Sequence, residues 1–178
     1  MEFNWYKSIS NSNIIEQGDL IPNCPIIVPP ITIEENGEYD VEVIQINSII
    51  LSQSCDLLNN KIEIVLVCPI LTLTDFKTNL PESEQGSKAF RKHVENLKKG
   101  HLPGYHILNK DDNLEIKDYL VVDFRNVYGI NINNLKSIAL NLGDRVRLNP
   151  PYREHLSQAF ARYFMRVGLP QDLIIEGI

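Results

Sequence analysis

A mainly β, α+β fold is what this sequence predicts: a small, curved antiparallel sheet or barrel with a helical insertion and a C-terminal amphipathic helix over it. Three observations carry that expectation. Val41 to Leu51 is dense in β-branched residues, and its Ile49–Leu51 end is apolar on both faces. A second such run, Ile62 to Leu71, follows after a short polar stretch, the pattern of an antiparallel hairpin. Leu156, Ala159, Phe160, Tyr163, Phe164 and Val167 then recur at helical spacing just beyond Pro150-Pro151. With 178 residues, 43% apolar and 22% charged, the chain is one domain of ordinary composition, long enough for a real core.

Taken in order, residues 1–13 read as an N-terminal extension packing through Phe3, Trp5 and Tyr6. Residues 14–148 read as the sheet, with the helical insertion at about 83–100, and 150–168 as the terminal helix. Gly18-Asp19 is a turn signal. Four prolines between Pro22 and Pro30 restrict that stretch to an edge strand or a loop. Glu34 to Glu38 reads as an acidic turn. Ser87 is placed to cap a helix whose Phe90, Val94 and Leu97 share a face, and Gly100 is placed to end it. Tyr105 to Leu108 and Arg145 to Leu148 read as short strands and Tyr119 to Ile130 as a longer one. Gly168 and Pro170 stop the last helix.

The formal net charge of −6 is uneven. Residues 1–124 hold ten Lys/Arg against nineteen Asp/Glu, whereas residues 125–167 hold seven against two. Six of those seven are arginines, suited to bidentate contacts with carboxylate or phosphate. Two readings follow: the basic segment pairs internally with the acidic one, or it forms an anion-binding face. No apolar run approaches the roughly 18 residues a membrane helix needs, and the start is acidic rather than basic. Cys24, Cys55 and Cys68 are too few for a disulfide framework and none pair as C-x-x-C. The expectation is a reduced, cytoplasmic protein with no membrane contact, no metal and no cofactor.

The segment Ser52-Gln53-Ser54-Cys55-Asp56 packs small polar groups at the end of the apolar strand, where sites are often built. A nucleophilic Cys55 would need a neighbouring cation, and Asp56 argues against one. The plainer reading makes Cys55 a packing residue while Ser54 and Asp56 bond backbone amides. His101 and His106 bracket a Pro-Gly loop, a solvated position more often than a functional one. Thr72, Thr74 and Asp75 either meet a phosphate or cap the chain as it leaves the strand. Arg125 either pairs with Asp123 or points outward to a phosphate. Nucleotide-binding and hydrolase signatures such as G-x-x-x-x-G-K-[ST] and G-x-S-x-G do not occur.

Several short segments, in order, resemble the PemK/MazF-type growth-inhibitor toxins. Gly18-Asp19-Leu20 resembles their opening strand, and Ile49-Ile50-Leu51-Ser52 the strand that ends in a hydroxyl. Val65 to Thr72 resembles the apolar strand running into Pro-Ile-Thr. Tyr119 to Ile130 with Asn134-Leu135, and Ala159 to Leu169, resemble the later strand and the terminal helix. The resemblance implies a small SH3-like antiparallel β-barrel, usually a homodimer, that cuts single-stranded RNA without a metal in a prokaryotic defence or toxin–antitoxin setting. By position, Thr72 falls where the family's strand threonine sits; with Asp56 and Arg125 it makes up the catalytic candidates, and Ser52, Ser54, Cys55, Arg145 and Arg147 are the candidate nucleic-acid or partner contacts. Two departures stand out. Residues 22–48 carry no Lys, Arg or His where the family has a basic loop, and residues 73–104 exceed the family's insertion. The alternative they leave is a non-catalytic, protein-binding adaptor subunit that has lost the nuclease site.

Overall fold

The computed structural model describes residues 4–32 and 37–165. The chain is α+β, with strands β1 (Tyr6–Ser10), β2 (Leu20–Val28), β3 (Glu42–Ile50), β4 (Ile64–Thr72), β5 (Tyr105–Leu108), β6 (Leu120–Asp123), β7 (Tyr128–Asn131) and β8 (Asp144–Leu148). The helices are α1 (Ser54–Leu58), α2 (Leu73–Thr78), α3 (Ser87–Lys98), α4 (Ile132–Asn141) and α5 (Tyr152–Phe164). All pairings between these strands are antiparallel. No described helix is long and apolar enough to cross a membrane.

The main sheet runs β2-β3-β4-β6-β5, and β7 lies against the first half of β4. Val67 pairs with Ile50 on one side and Tyr128 on the other. Because Ile70 pairs with Val122 on that second side, β6 and β7 act as one long partner of β4, broken by a turn at Phe124–Val127. At the opposite end, Asp19 bridges to Arg147, and the Leu148 N–H donates to the Gly18 carbonyl at 3.0 Å, so the β1-β8 pair continues the sheet past β2. Gly18 takes φ +85°, and a Cβ there would lie 2.9 Å from Leu148 Cβ; only glycine lets the two strands approach.

Strand alternation sorts the core. Val65, Val67 and Ile50 face one way, onto Ile132, Leu135 and Ala139 of α4. Further along that side, Val121 meets Phe76 of α2 and Leu97 of α3. The other side gathers Tyr6, Leu148, Leu20, Ile49, Cys68, Val122 and Leu108, one buried side chain from each of β1, β8, β2, β3, β4, β6 and β5, around Phe124 and Leu156 of α5. The backbone ladder nevertheless stays open among the described residues. Between β5 and β1 the link is a side chain, Tyr6 Oη donating to the Asn109 carbonyl at 2.6 Å.

Several expectations need correction. The N-terminal extension is in part a strand, because Tyr6–Ser10 pairs along β8. The hairpin turn after β3 holds a short helix, α1, and the expected strand Tyr119–Ile130 is two strands. Ser87 does not cap α3: it is the first helical residue, Gly86 holds the cap position, and no side chain bonds there. Helix α4 was not expected, although Asn131 caps it by accepting the Asn133 N–H. Pro22 to Val28 forms an edge strand with an irregularity between Ile21 and Cys24, as its prolines require. The acidic turn at Glu34–Glu38 lies partly outside the described residues; Phe3, Val167, Gly168 and Pro170 lie wholly outside them.

Candidate functional site

Arg145 and Arg147 do not form an outward basic face. Both are buried on β8, where alternate residues turn inward beneath the chain leading into β2. Arg145 Nε donates to Asp19 Oδ2 at 2.9 Å and its Nη1 to the Ser12 carbonyl at 2.7 Å. Arg147 pairs with Asp19 and Glu16, and its Nη2 reaches the Ile14 carbonyl at 2.8 Å. The Asp19 side chain is 0% exposed, so the group compensates its charges internally. Of the two readings of the basic segment, internal pairing holds for these two arginines.

The Ser52–Asp56 corner is accessible, with its hydroxyls committed to the backbone. Ser52 Oγ accepts the Leu66 N–H at 2.8 Å, and Ser54 Oγ the Gln17 N–H at 3.2 Å. Cys55 is exposed, and its thiol meets only oxygens: Asp56 Oδ1 at 3.6 Å and Gln53 Oε1 at 3.7 Å. Thr72 caps α2, donating to Asp75 Oδ2 at 2.6 Å and accepting the Asp75 N–H at 2.9 Å. Thr72 lies six positions along β4 from Leu66, beside Ser52, which is about 20 Å of strand. The structure therefore does not bring Asp56 and Thr72 together.

Arg125 stands in the turn between β6 and β7. Its Nε and Nη2 donate to Asp123 at 2.9 and 2.8 Å, and the guanidinium lies over the Tyr105 ring at 4.6 Å from the centroid. The expected Asp123–Arg125 contact is thus present, while the arginine side chain stays 55% exposed. Those hydrogen bonds hold Asp123 below the usual carboxylate range against the opposing effect of burial.

Tyr105 also borders a cleft of about 800 Å³ along the outer edge of β5, where no other described strand pairs. Strand alternation sends Tyr105 and Ile107 towards the α3 side, and His106 and Leu108 towards α5. The end of α3 contributes Lys98, the residue after it Lys99, and α5 contributes His155 and Arg162. Trp5, stacked at 3.7 Å on Tyr152, and Tyr119 complete the aromatic walls. No Asp or Glu is among the described residues lining this cleft, in a chain of net charge −6. Burial, and secondarily the charge of His155, push His106 down from 6.5 to about 4.

Among the described residues, no three of His, Cys, Asp and Glu are grouped to hold a metal ion. No family model matches the chain, and no curated protein does. Sequence reasoning missed the cleft because its basic side chains come from stretches far apart in the chain, Lys98 and Lys99 after α3 and Arg162 on α5. The available signal was Arg162 on the polar face of the terminal helix, together with His106 within a strand.

The low proton affinity of His106 has a measurable consequence. Between pH 6.5 and about 4 the unfolded chain binds a proton there that the native state does not, so stability falls as pH drops through that window. A half-buried ring supports a loss of about 1–3 kcal/mol. Urea melts across the window should show this slope, and His106→Gln should flatten it. Asp123 acts in a lower window, losing its contribution as pH falls below the ordinary carboxylate range.

Proposed function

We propose that this chain is a toxin-like, curled-sheet protein that binds single-stranded RNA in the β5–α5 cleft, in a cytoplasmic setting of the toxin–antitoxin or defence kind. The observation that carries the reading is the lining: lysine, arginine and histidine with aromatic rings and no carboxylate. Such a surface tracks a phosphate backbone while bases stack on the rings. The barrel form belongs to the same proposal. Its support is the inward side chain that each of seven strands gives to one core plugged by Leu156, and its SH3-like character rests on the resemblance in segment order. Asp56, Thr72 and Arg125 are not offered as one catalytic set, because two of the three lie far apart and the Thr72 hydroxyl is occupied.

Fluorescence anisotropy with a labelled single-stranded RNA tests the binding. Affinity should fall with salt, by a log–log slope of roughly 0.7 per phosphate contacted. Lys98→Glu with Arg162→Glu should weaken binding at least about tenfold and flatten that slope by one to two contacts. Unchanged binding and slope in the double variant would remove the cleft from the reading.

A second reading, the protein-binding adaptor, has its own support. Ile27, Val41 and Val43 are 67%, 51% and 54% exposed around the end of the β2–β3 hairpin, with Asp40 and Glu42 beside them. That is an apolar and acidic surface of the kind partners cover. Recovery of one stoichiometric protein and no nucleic acid in a pulldown from the native host, lost on Ile27→Lys with Val43→Lys, would favour it.

A further inference from the structure

The main sheet ends in two unlike edges. At one end β2 carries Pro22 and Pro25, and prolines blunt a sheet edge against further pairing. At the other end β5, Tyr-His-Ile-Leu, carries neither proline nor lysine, and no described strand pairs along its outer side. Its ladder with β6 fixes which backbone groups face outward. The Phe124 N–H donates to the Gly104 carbonyl at 2.9 Å, and in an antiparallel pair the hydrogen-bonded positions alternate. His106 and Leu108 therefore bond Val122 and Leu120 across the ladder. The Tyr105 N–H turns back to the Leu102 carbonyl at 2.9 Å. That leaves the Ile107 N–H and carbonyl, with the Tyr105 carbonyl, pointing into the cleft, where water or another chain must meet them.

The chain itself holds a segment that fits. Helix α5 runs opposite to β5. At its start Tyr152 stacks on Trp5, the neighbour of Tyr6, whose hydroxyl bonds Asn109 just past β5. Near its end, Tyr163 Cε2 lies 3.6 Å from where a Cβ on Gly104, just before β5, would sit. The chain thus leaves α5 beside the first residue of β5. Residues 166–178 lie outside the described residues, and their sequence passes through Gly168 and Pro170, both turn formers, to Asp172-Leu173-Ile174-Ile175-Glu176. That is an apolar, β-branched run between two carboxylates. Lys98, Lys99 and Arg162 line the cleft, and no described Asp or Glu does. A connection over residues 166–172 reaches up to about 23 Å, more than the roughly 13 Å length of β5. We propose that residues 173–175 add to the outer edge of β5 as a short strand, entering at the Tyr105 end and parallel to it, so that the chain fills its own cleft. The outward groups of Ile107 gain partners, Leu173 and Ile175 face one wall and Ile174 the other, and Asp172 and Glu176 meet the cations. The inference stands apart from the RNA reading; a cleft filled in this way is closed to a polynucleotide until the segment leaves.

Amide hydrogen exchange on the full chain, resolved residue by residue by NMR, is the test. In the wild type the Ile107 N–H should exchange at least about tenfold more slowly than in Ile174→Pro with Ile175→Pro, where consecutive prolines remove the donor in either register. The Leu108 N–H, bonded within the ladder, should exchange alike in both proteins. Asp172→Lys with Glu176→Lys should also speed exchange at Ile107, and it decides alone if the proline variant melts early. An Ile107 N–H that exchanges equally in wild type and variants overturns the proposal, whether fast, with the edge open, or slow, with another occupant there. Protection that is lost on dilution, alongside a dimer in sedimentation velocity, overturns it too, since the strand then comes from a second copy. No RNA enters any arm, so failure here leaves the binding reading to its own test.

Discussion

Replacing Asp19 with Asn should be among the most destabilising single changes in this molecule, at about 3–5 kcal/mol. The carboxylate is fully buried and accepts from the guanidinium groups of both Arg145 and Arg147, and from the Glu16 N–H at 3.2 Å. An amide of the same shape leaves two buried cations facing one another with only Glu16 and backbone carbonyls to meet them. For a domain of this size the expected fall in Tm is roughly 6–20 °C, read by calorimetry or circular dichroism. The comparison that separates a favourable ion group from a merely compensated one is Asp19→Leu with Arg145→Met and Arg147→Met. Well-packed apolar replacement of a whole buried ion group is often neutral or stabilising. The triple variant should therefore melt well above Asp19→Asn, even though it has lost more charged groups. If Asp19→Asn melts within a degree or two of wild type, the three charges are not coupled as the geometry requires.

That ion group shows where sequence reasoning reaches and where it stops. The strands β3 and β4 were legible to within two residues at their ends, because β-branched runs bounded by polar residues have few other uses. The terminal helix and β5 were legible for similar reasons. What Arg145 and Arg147 do was not, because strand alternation tells which residues share a face but not whether that face meets solvent or a carboxylate 126 residues away. Helix α4 carried a signal in Ile132, Leu135, Ile138 and Ala139, at helical spacing and ended by Gly143 at φ +71°. It was hidden by asparagines at positions 131, 133 and 134 that read as a turn. The turn between β6 and β7 was invisible for a different reason. Its cause is tertiary: Phe124 leaves the ladder to enter the core, and its N–H bonds the Gly104 carbonyl at 2.9 Å. The cleft inherits that difficulty, since it is assembled from β5, the end of α3 and α5 rather than from any one segment.

Phe124→Ala is the second large effect expected, at about 3–5 kcal/mol. The ring is fully buried and meets Phe160 at 5.4 Å, Tyr163 at 6.3 Å and His106 at 6.4 Å between centroids, so it joins the sheet to α5 and backs one wall of the cleft. Strands on one side and a helix on the other limit how far the hole can collapse, which places the cost towards the upper end for such a change. Phe164 makes the informative contrast. The apolar stripe read from the sequence puts it beside Phe160 as an equal, yet it is 60% exposed and touches Phe160 and Tyr163 only edge-on. Phe164→Ala should cost within about 0.5 kcal/mol, the range of surface substitutions. Parallel urea melts of the two variants decide between a stripe that is uniformly core and one whose last turn faces solvent. RNA anisotropy on the same samples, taken under conditions where both remain folded, should show weakened binding only for Phe124→Ala, since that buried ring packs in one cluster with Leu108 of β5 and Leu156 of α5, on either side of the cleft, whereas Phe164 is largely exposed.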